Sequence, residues 1–384
     1  MSTLKSIPTR SLRILHILTL NGAHGEYGGP NRVAVELCTN LQSRGHEVQI
    51  FTGALAHSIP VFRGDLNESF EIVRPLAKSF PISSLWSLRI TIKLFQQIKK
   101  VDLVHIHFAR ELIPITAGIL CVFLKKPFVT QTHGMVIKDG RISTRAFDFL
   151  LTRFILNRSR TNFALTAQER EEMEPLSFKC RVVELPNGIR VSNDQVTRNV
   201  NEVPNIVFCS RLHPRKRPDW FLGLAKAAHV AGLIANFEIY GPDNGDLDQI
   251  QKRITSDSDL ERVRYKGSLP PHEVTEMLRN SDLLVLPSEK EPFPMVVLEA
   301  LSVGTPALIM ASSGIANLIQ SHCSDLVVSS DSEASLFIAF SSIFNKILIT
   351  QTRDKVKNLC KELFDIDNVV NILEKNYKEL VYLK

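Results

Sequence analysis

Short apolar runs of strand length, each followed by a stretch of helical period, punctuate this chain, and the rhythm runs twice. Arg13–Leu20 (RILHILTL) reads as a buried strand, followed by the glycine-rich segment 22–30 (GAHGEYGGP). A helix is expected from about Asn31 to Arg44, closed by Gly45. His46–Thr52, Asp102–Phe108, Pro127–Thr132 and Thr161–Leu165 read as further strands. Runs without polar alternation suit strands buried on both faces, and strands separated by helices build a parallel sheet. Polar Val191–Pro204 breaks the rhythm and reads as a linker. Strands then recur at Asn205–Ser210, Asn236–Tyr240, Arg262–Lys266, Leu283–Pro287 and Pro306–Ala311. Helices are expected at Pro218–Ala231, Pro271–Asn280 and about Pro294–Val303, and the tail Asn368–Lys384 is helical by period. The expectation is an α/β protein of two doubly wound, Rossmann-like domains, residues 1–195 and 196–367, with a cleft at the carboxyl ends of their strands.

The length of 384 residues fits two domains with cores of stabilising size. A charged fraction of 22% excludes global disorder. The six cysteines form no C-x-x-C pair, which argues against a zinc ribbon or a disulfide framework and for a reducing, cytoplasmic setting. No apolar segment with a cleavage site is evident at the start of the chain. The longest nearly unbroken apolar run, Ile113–Leu124, has 12 residues, short of the roughly 20 that a spanning helix needs. Charge is uneven: residues 1–195 hold 25 Lys and Arg against 16 Asp and Glu, and residues 196–384 hold 21 against 24. A basic half suits phosphorylated ligands, an anionic membrane or nucleic acid. No nucleic-acid module or basic stripe interleaved with aromatics is present, so nucleic acid is not expected.

Two strand-to-helix turns in the second half carry chemistry. In Ser288–Gly304 (SEKEPFPMVVLEALSVG), a strand gives way to a helix whose first N–H groups suit a diphosphate. Glu291 precedes that helix and Glu299 lies within it, a spacing that lets each carboxylate grip a vicinal diol. The other turn, Ser210–Arg217 (SRLHPRKR), offers Arg and Lys to phosphate.

With Glu-x7-Glu at 291–299, Arg211 with Lys216, and the loop at Gly28-Gly29, the chain resembles the retaining glycosyltransferases of family 4, glycosyl transferases group 1, with the GT-B fold. The strand Asp102–Phe108, Thr132-His133-Gly134, Pro186-Asn187-Gly188, Tyr240-Gly241 and Tyr265-Lys266-Gly267 stand in the same order. The resemblance implies transfer of a sugar from a UDP- or GDP-linked donor to a hydroxyl acceptor, a glycan or glycolipid, without a metal or other cofactor. It implies that Arg211 and Lys216 hold the diphosphate, Glu299 the ribose and Glu291 the transferred sugar. Gly267 to Leu269 would meet the base, with Gly241 at the neighbouring strand end. Phe293, Pro294, Met295 and Val296 would line the donor at the helix start. Gly28 and Gly29 would close over the phosphates, His133 would sit near the sugar, and the tail helix would return to the first domain. A non-catalytic nucleotide-sugar-binding protein or partner subunit is the alternative.

Two departures bear on that alternative. The family's Glu-x-Phe-Gly segment here has Pro294, which suits a first helical position but lacks an N–H. A Gly-Gly-x-x-Glu segment is replaced by Ser312–Asn317 (SSGIAN). His105 and His107 alternate on one strand, but no third ligand is evident, so no metal is expected. Asp246-Leu247-Asp248 reads as helix capping. The loop 22–30 is not a G-x-G-x-x-G, which argues against a nicotinamide dehydrogenase. Ser84–Lys100 and Ser143–Arg160 mix bulky apolar residues with Arg and Lys, as helices at an anionic bilayer do. They also fit ordinary helices with a basic outer face, and the resemblance favours the peripheral membrane contact.

Overall fold

The computed structural model describes residues 11–21, 29–56, 58–59, 66–75, 84–136, 142–177, 179–191, 202–347 and 350–382. The chain forms two compact units, Met1–Gly188 with Ile366–Lys384, and Ile189–Asp365. The division falls at Gly188 and not at 195, because Ile189 already donates its N–H to Phe364 O (2.8 Å) inside the second unit. Residues 192–201 of the expected linker lie outside the described residues.

The first unit is built on β1 (Arg13–Leu20), β2 (Glu47–Ala54), β3 (Asn67–Ile72), β4 (Leu103–His107), β5 (Phe128–Gln131), β6 (Thr161–Ala164) and β7 (Arg181–Glu184). They form one parallel sheet in the order β3-β2-β1-β4-β5-β6-β7. The central strands are buried on both faces, and Leu15, Ile17, Phe51, Val104, Ile106 and Phe108 join the core. The register sets His16 opposite His105 and Ile17 opposite Ile106. The edge strands β3 and β7 escape a search for apolar runs, since NESFEI and RVVE are only half buried.

The tail helix Ile366–Tyr382 belongs to this unit and packs on the helix Gly29–Ser43. It buries Val369, Val370, Leu373 and Tyr377. Polar ties fix it: Glu374 accepts from Arg44 (3.2 Å), meets His46 (3.2 Å) and pairs with Lys378, while Arg44 also pairs with Asp367 (3.1 Å).

The two basic amphipathic stretches are both helical. In Leu88–Lys100, capped by Ser87 on Ile90 N–H, Ile90, Leu94 and Ile98 face the core. Leu88, Ile92 and four basic residues stay outside or half-buried. The other stretch runs from Ile142–Phe147 through a π-helical turn, Asp148–Thr152, to Arg153–Leu156. Arg110 grips Asp148 at that turn through two 2.8 Å bonds, and the adjacent Phe149 and Leu150 are exposed. No helix among the described residues is long and apolar enough to cross a membrane.

The second unit repeats the plan with β8 (Asn205–Cys209), β9 (Asn236–Tyr240), β10 (Val263–Gly267), β11 (Leu283–Leu286), β12 (Ala307–Met310) and β13 (Val327–Val328). Its parallel order is β10-β9-β8-β11-β12-β13. In each unit the order turns back beside the first strand, and the loops at the carboxyl ends of the two adjoining strands part there. Those strands are β1 and β4 in the first unit, and β8 and β11 in the second.

Glu374 supplies a stability prediction. Burial alone would raise its carboxyl, but hydrogen bonds from Lys378, Arg44 and His46 outweigh it and bring it down to about 2. A lowered acid pKa adds stability above its unfolded value, near 4.5, and loses it as pH falls toward 2. Glu374→Gln is expected to cost about 1–2 kcal/mol at pH 7. In denaturant titrations across pH, the gap between wild type and variant should close below pH 4. No gap at any pH would show that the tail is held by apolar packing alone, and a gap independent of pH would show that the carboxylate charge is not what Glu374 contributes.

Candidate active site

In the second unit, the segments leaving β8 and β11 bring the predicted residues together. After β8, His213 caps a 3-10 turn, Pro214–Lys216, its Nδ1 accepting from Arg215 N–H (3.1 Å). The turn buries Lys216 and leaves Arg211 exposed. Lys216 Nζ is paired with Glu291 Oε2. Burial lowers the Lys216 ammonium while Glu291 opposes that shift. Arg211 has no ion-pair partner among the described residues. Arg217 holds the turn: in the left-handed region (φ 52°), it pairs with Glu289 (3.3 Å) and Asp331 (3.5 Å) and stacks on Trp220.

The loop after β11 is pinned by backbone contacts. Glu289 N–H donates to Arg215 O (2.9 Å), and Gly314 N–H donates to Glu291 O (2.8 Å). A Cβ on Gly314 would lie 2.1 Å from Pro292 O, so only glycine lets the two loops meet. Gly314 was not singled out from the sequence, although its place in a Ser-Ser-Gly turn after a strand was the available signal. The hydroxyls of Ser288 and Ser313 are buried beside this loop without a partner among the described residues. Such hydroxyls are normally met by water or ligand.

Pro294 is the N-cap of the helix Met295–Ser302, not its first residue, because its ψ of 102° is extended. Val297 N–H turns back to Pro294 O (3.1 Å), which leaves Met295 and Val296 N–H groups at the helix start. Phe293 is buried edge-on against Phe364. Glu299 is buried within the helix, and Asn317 is exposed. Burial first, then the Glu299 charge, pushes the neighbouring Cys209 thiol up to about 12.

Gly241, after β9, has φ 145°, and a Cβ there would lie 1.8 Å from Ser210 O. This close approach lets Gly241 N–H bond Gly267 O (2.9 Å) and Tyr265 Oη bond Gly241 O (2.9 Å). Gly267, at φ 85°, turns β10 toward half-buried Leu269. Asp246 holds the N-cap position of the helix Leu247–Ser256 but makes no capping bond. Asp243 Oδ1 does so instead, accepting from Gly245 (2.9 Å) and Leu247 (3.2 Å).

In the first unit, Gly28 lies outside the described residues, and Gly29 opens its helix. His133 follows β5 in the left-handed region at φ 51°. Glu169 holds that turn. Its carboxylate accepts from Thr132 Oγ1 (2.5 Å), Gly134 N–H (2.6 Å) and Leu165 N–H (2.6 Å). Sequence reasoning missed Glu169, although Thr166-x-x-Glu169 is a capping-box spacing. Thr166 does accept from Glu169 N–H (3.2 Å), but the Glu side chain turns to the His133 loop. Between β1 and β4 lies a cavity of about 110 Å³ lined by Thr19, Asn31, His107, Glu111 and Met135 among others. His105 and His107 are joined by His16 and His133, yet no group of three or more residues among those described could hold a metal.

Two parallel-sheet Rossmann-like units with these turns define the GT-B class of glycosyltransferases. Anabaena Alr3699/HepE in complex with UDP and glucose has this fold, with a TM-score of 0.72 over 96% of this chain and 100% of that one at 15% identity. Residues 27–193 match Glycosyltransferase Family 4 and residues 191–355 match Glycosyl transferases group 1. The chain belongs to glycosyltransferase family 4. It is 24% identical to the D-inositol 3-phosphate glycosyltransferase of Frankia alni, covering 79% of this chain and 83% of that protein. It is 23% identical to the UDP-Gal:alpha-D-GlcNAc-diphosphoundecaprenol alpha-1,3-galactosyltransferase of Escherichia coli, covering 72% and 74%.

Glu169→Ala should destabilise the first unit by about 3–5 kcal/mol, since it strands two buried N–H groups and a hydroxyl. Glu169→Gln should cost about 1–3 kcal/mol, because its NH₂ must face an N–H that the carboxylate accepted. Thermal or denaturant unfolding of both variants measures this. Wild-type stability in the alanine variant would contradict the clamp.

Proposed function

We propose that the protein is a retaining glycosyltransferase that moves a sugar from a UDP- or GDP-linked donor to a hydroxyl of a lipid-linked acceptor or growing surface glycan. One observation carries the reading most: buried Lys216 and half-buried Glu291 meet at the ends of β8 and β11, beside Arg211 and the start of the helix that carries Glu299. A diphosphate there faces fixed cations and helix N–H groups, which stabilise it as a leaving group. Lys216 and Arg211 hold the diphosphate, Glu299 the ribose and Glu291 the transferred sugar. The bond from the sugar carbon to the diphosphate breaks, and the departing oxygen takes the proton of the acceptor hydroxyl. The acceptor oxygen bonds on the face the diphosphate leaves, so configuration is kept. Side chains supply the positive charge, and no metal takes part. The likeness to an enzyme named for a diphosphoundecaprenol substrate supports a lipid-linked acceptor.

Turnover of a nucleotide-sugar panel, with release of nucleoside diphosphate as the readout, tests the reading. Activity is expected to persist in excess chelator. Lys216→Ala should lower it by two or more orders of magnitude, about 3 kcal/mol. Calorimetry with UDP and GDP separates the two glutamates. Glu299→Ala should weaken binding tenfold or more, by loss of a charged hydrogen bond of about 1.5–3 kcal/mol. Glu291→Ala should lower turnover without weakening the nucleoside diphosphate, because it frees Lys216 for the anion. Donor binding without any turnover would favour the non-catalytic alternative, and activity that needs added Mg²⁺ or Mn²⁺ would overturn the metal-free step.

The reading includes contact with an anionic membrane through exposed Phe149 and Leu150, with Arg145 nearby, and through the basic helix Leu88–Lys100. Co-sedimentation with anionic vesicles should be lost at high salt and on Phe149→Ser with Leu150→Ser. Absence of binding to such vesicles at low salt would remove the membrane from the account.

A further inference from the structure

Three buried imidazoles form a hydrogen-bonded chain in the first unit. They belong to neighbouring strands: His16 to β1, His107 to β4 and His133 to the turn after β5. His16 Nδ1 lies 3.1 Å from His107 Nε2, and His107 Nδ1 lies 2.7 Å from His133 Nε2. The rings of His107 and His133 stack at 5.0 Å with an 8° tilt. His105 stands beside the chain and bonds Tyr377 Oη on the tail helix (2.5 Å). Relative exposure is 0% for His16, 2% for His107 and 8% for His133. Burial holds all three neutral, lowering His16 and His133 to about 3.

A neutral imidazole has one N–H and one bare nitrogen. Two hydrogen bonds across three such rings allow only two arrangements. In one, each ring donates from Nδ1 toward His133, leaving a bare His16 Nε2 and a free N–H at His133 Nδ1. In the other, each donates from Nε2 toward His16, leaving a free N–H at His16 Nε2 and a bare His133 Nδ1. Both end nitrogens lack a partner among the described residues. A buried N–H without an acceptor is rarer than an unused lone pair. His16 is sealed within the sheet, whereas His133 stands in the turn just past a strand end and keeps 8% of its surface exposed. The first arrangement therefore puts its free N–H at the outer end of the chain, and the second puts it inside the sheet.

We infer that His16 and His107 are positioning residues that fix His133 as the Nδ1–H tautomer, so that His133 offers a neutral hydrogen-bond donor to a substrate oxygen and does not serve as a general base. This rests on the proposed reading only for the identity of the substrate. The tautomer is a property of the free protein.

Nitrogen-15 correlation spectra of the ring-labelled wild-type protein test it, because the protonated and bare nitrogens of a neutral imidazole resonate far apart. The expected pattern is Nδ1–H at His16, His107 and His133. Nε2–H at His133 would overturn the inference. His107→Phe keeps a ring of similar size and removes the bond to His133, so His133 should lose its fixed Nδ1–H pattern. That variant should also lose roughly tenfold in kcat with little change in the KM of the donor, and no further activity should be lost when it is added to His133→Ala. Additive losses would mean that His107 acts by folding alone and would overturn its positioning role. Wild-type turnover in His133→Ala would overturn the donation to a substrate oxygen.

Discussion

In each unit the strand order turns back beside its first strand, and the proposed chemistry depends on that reversal. The crossovers on either side run to opposite faces of the sheet, so the loops at the carboxyl ends of two adjacent strands diverge. In the second unit these are the ends of β8 and β11, and they carry Lys216 and Glu291. In the first unit they are the ends of β1 and β4, where the small cavity with Glu111 lies. A larger cavity of about 710 Å³ opens at the amino ends of β8–β10, away from this cluster, and the sheet gives it no divergent loops.

Holding charge at such an opening demands rigid support. Lys216 is nearly buried, and a buried ammonium is tolerated only beside a counter-charge. Glu291 supplies it, and the loop that bears Glu291 is fixed through Gly314 and Arg215 backbone groups. Gly241 and Gly314 are required because each accepts a carbonyl where a Cβ would stand. His133 is held in the first unit by comparable means, with Glu169 fixing Thr132 and Gly134 on either side of it and His107 its ring. Both arrangements hold their polar groups in place in the free protein, which leaves little reorganisation to the proposed reaction.

The central strands were legible in the sequence because they are buried on both faces and read as unbroken apolar runs, as RILHILTL and LLVL do. Edge strands were not, since NESFEI has one open side and its residues follow no single pattern. Residues placed at strand-to-helix turns, such as Lys216 and Glu291, could be read because the turn type dictates their position. Glu169 and His16 could not, because their partners are 35 and 91 residues away and only the register of the sheet brings them together. Pro294 was expected inside its helix and stands at the cap, a difference of one residue that decides which N–H groups face the site. Asp246 shows the same limit: the position suits a cap, but Asp243 reaches the orphan N–H groups.

A crystal structure of the protein with a non-hydrolysable nucleoside diphosphate sugar tests the central claim most directly. The account predicts diphosphate oxygens within hydrogen-bond distance of Lys216 Nζ and Arg211, ribose hydroxyls on the Glu299 carboxylate and the sugar beside Glu291. A diphosphate bound elsewhere, with the Lys216–Glu291 pair unchanged and no ligand at the ends of β8 and β11, would contradict it.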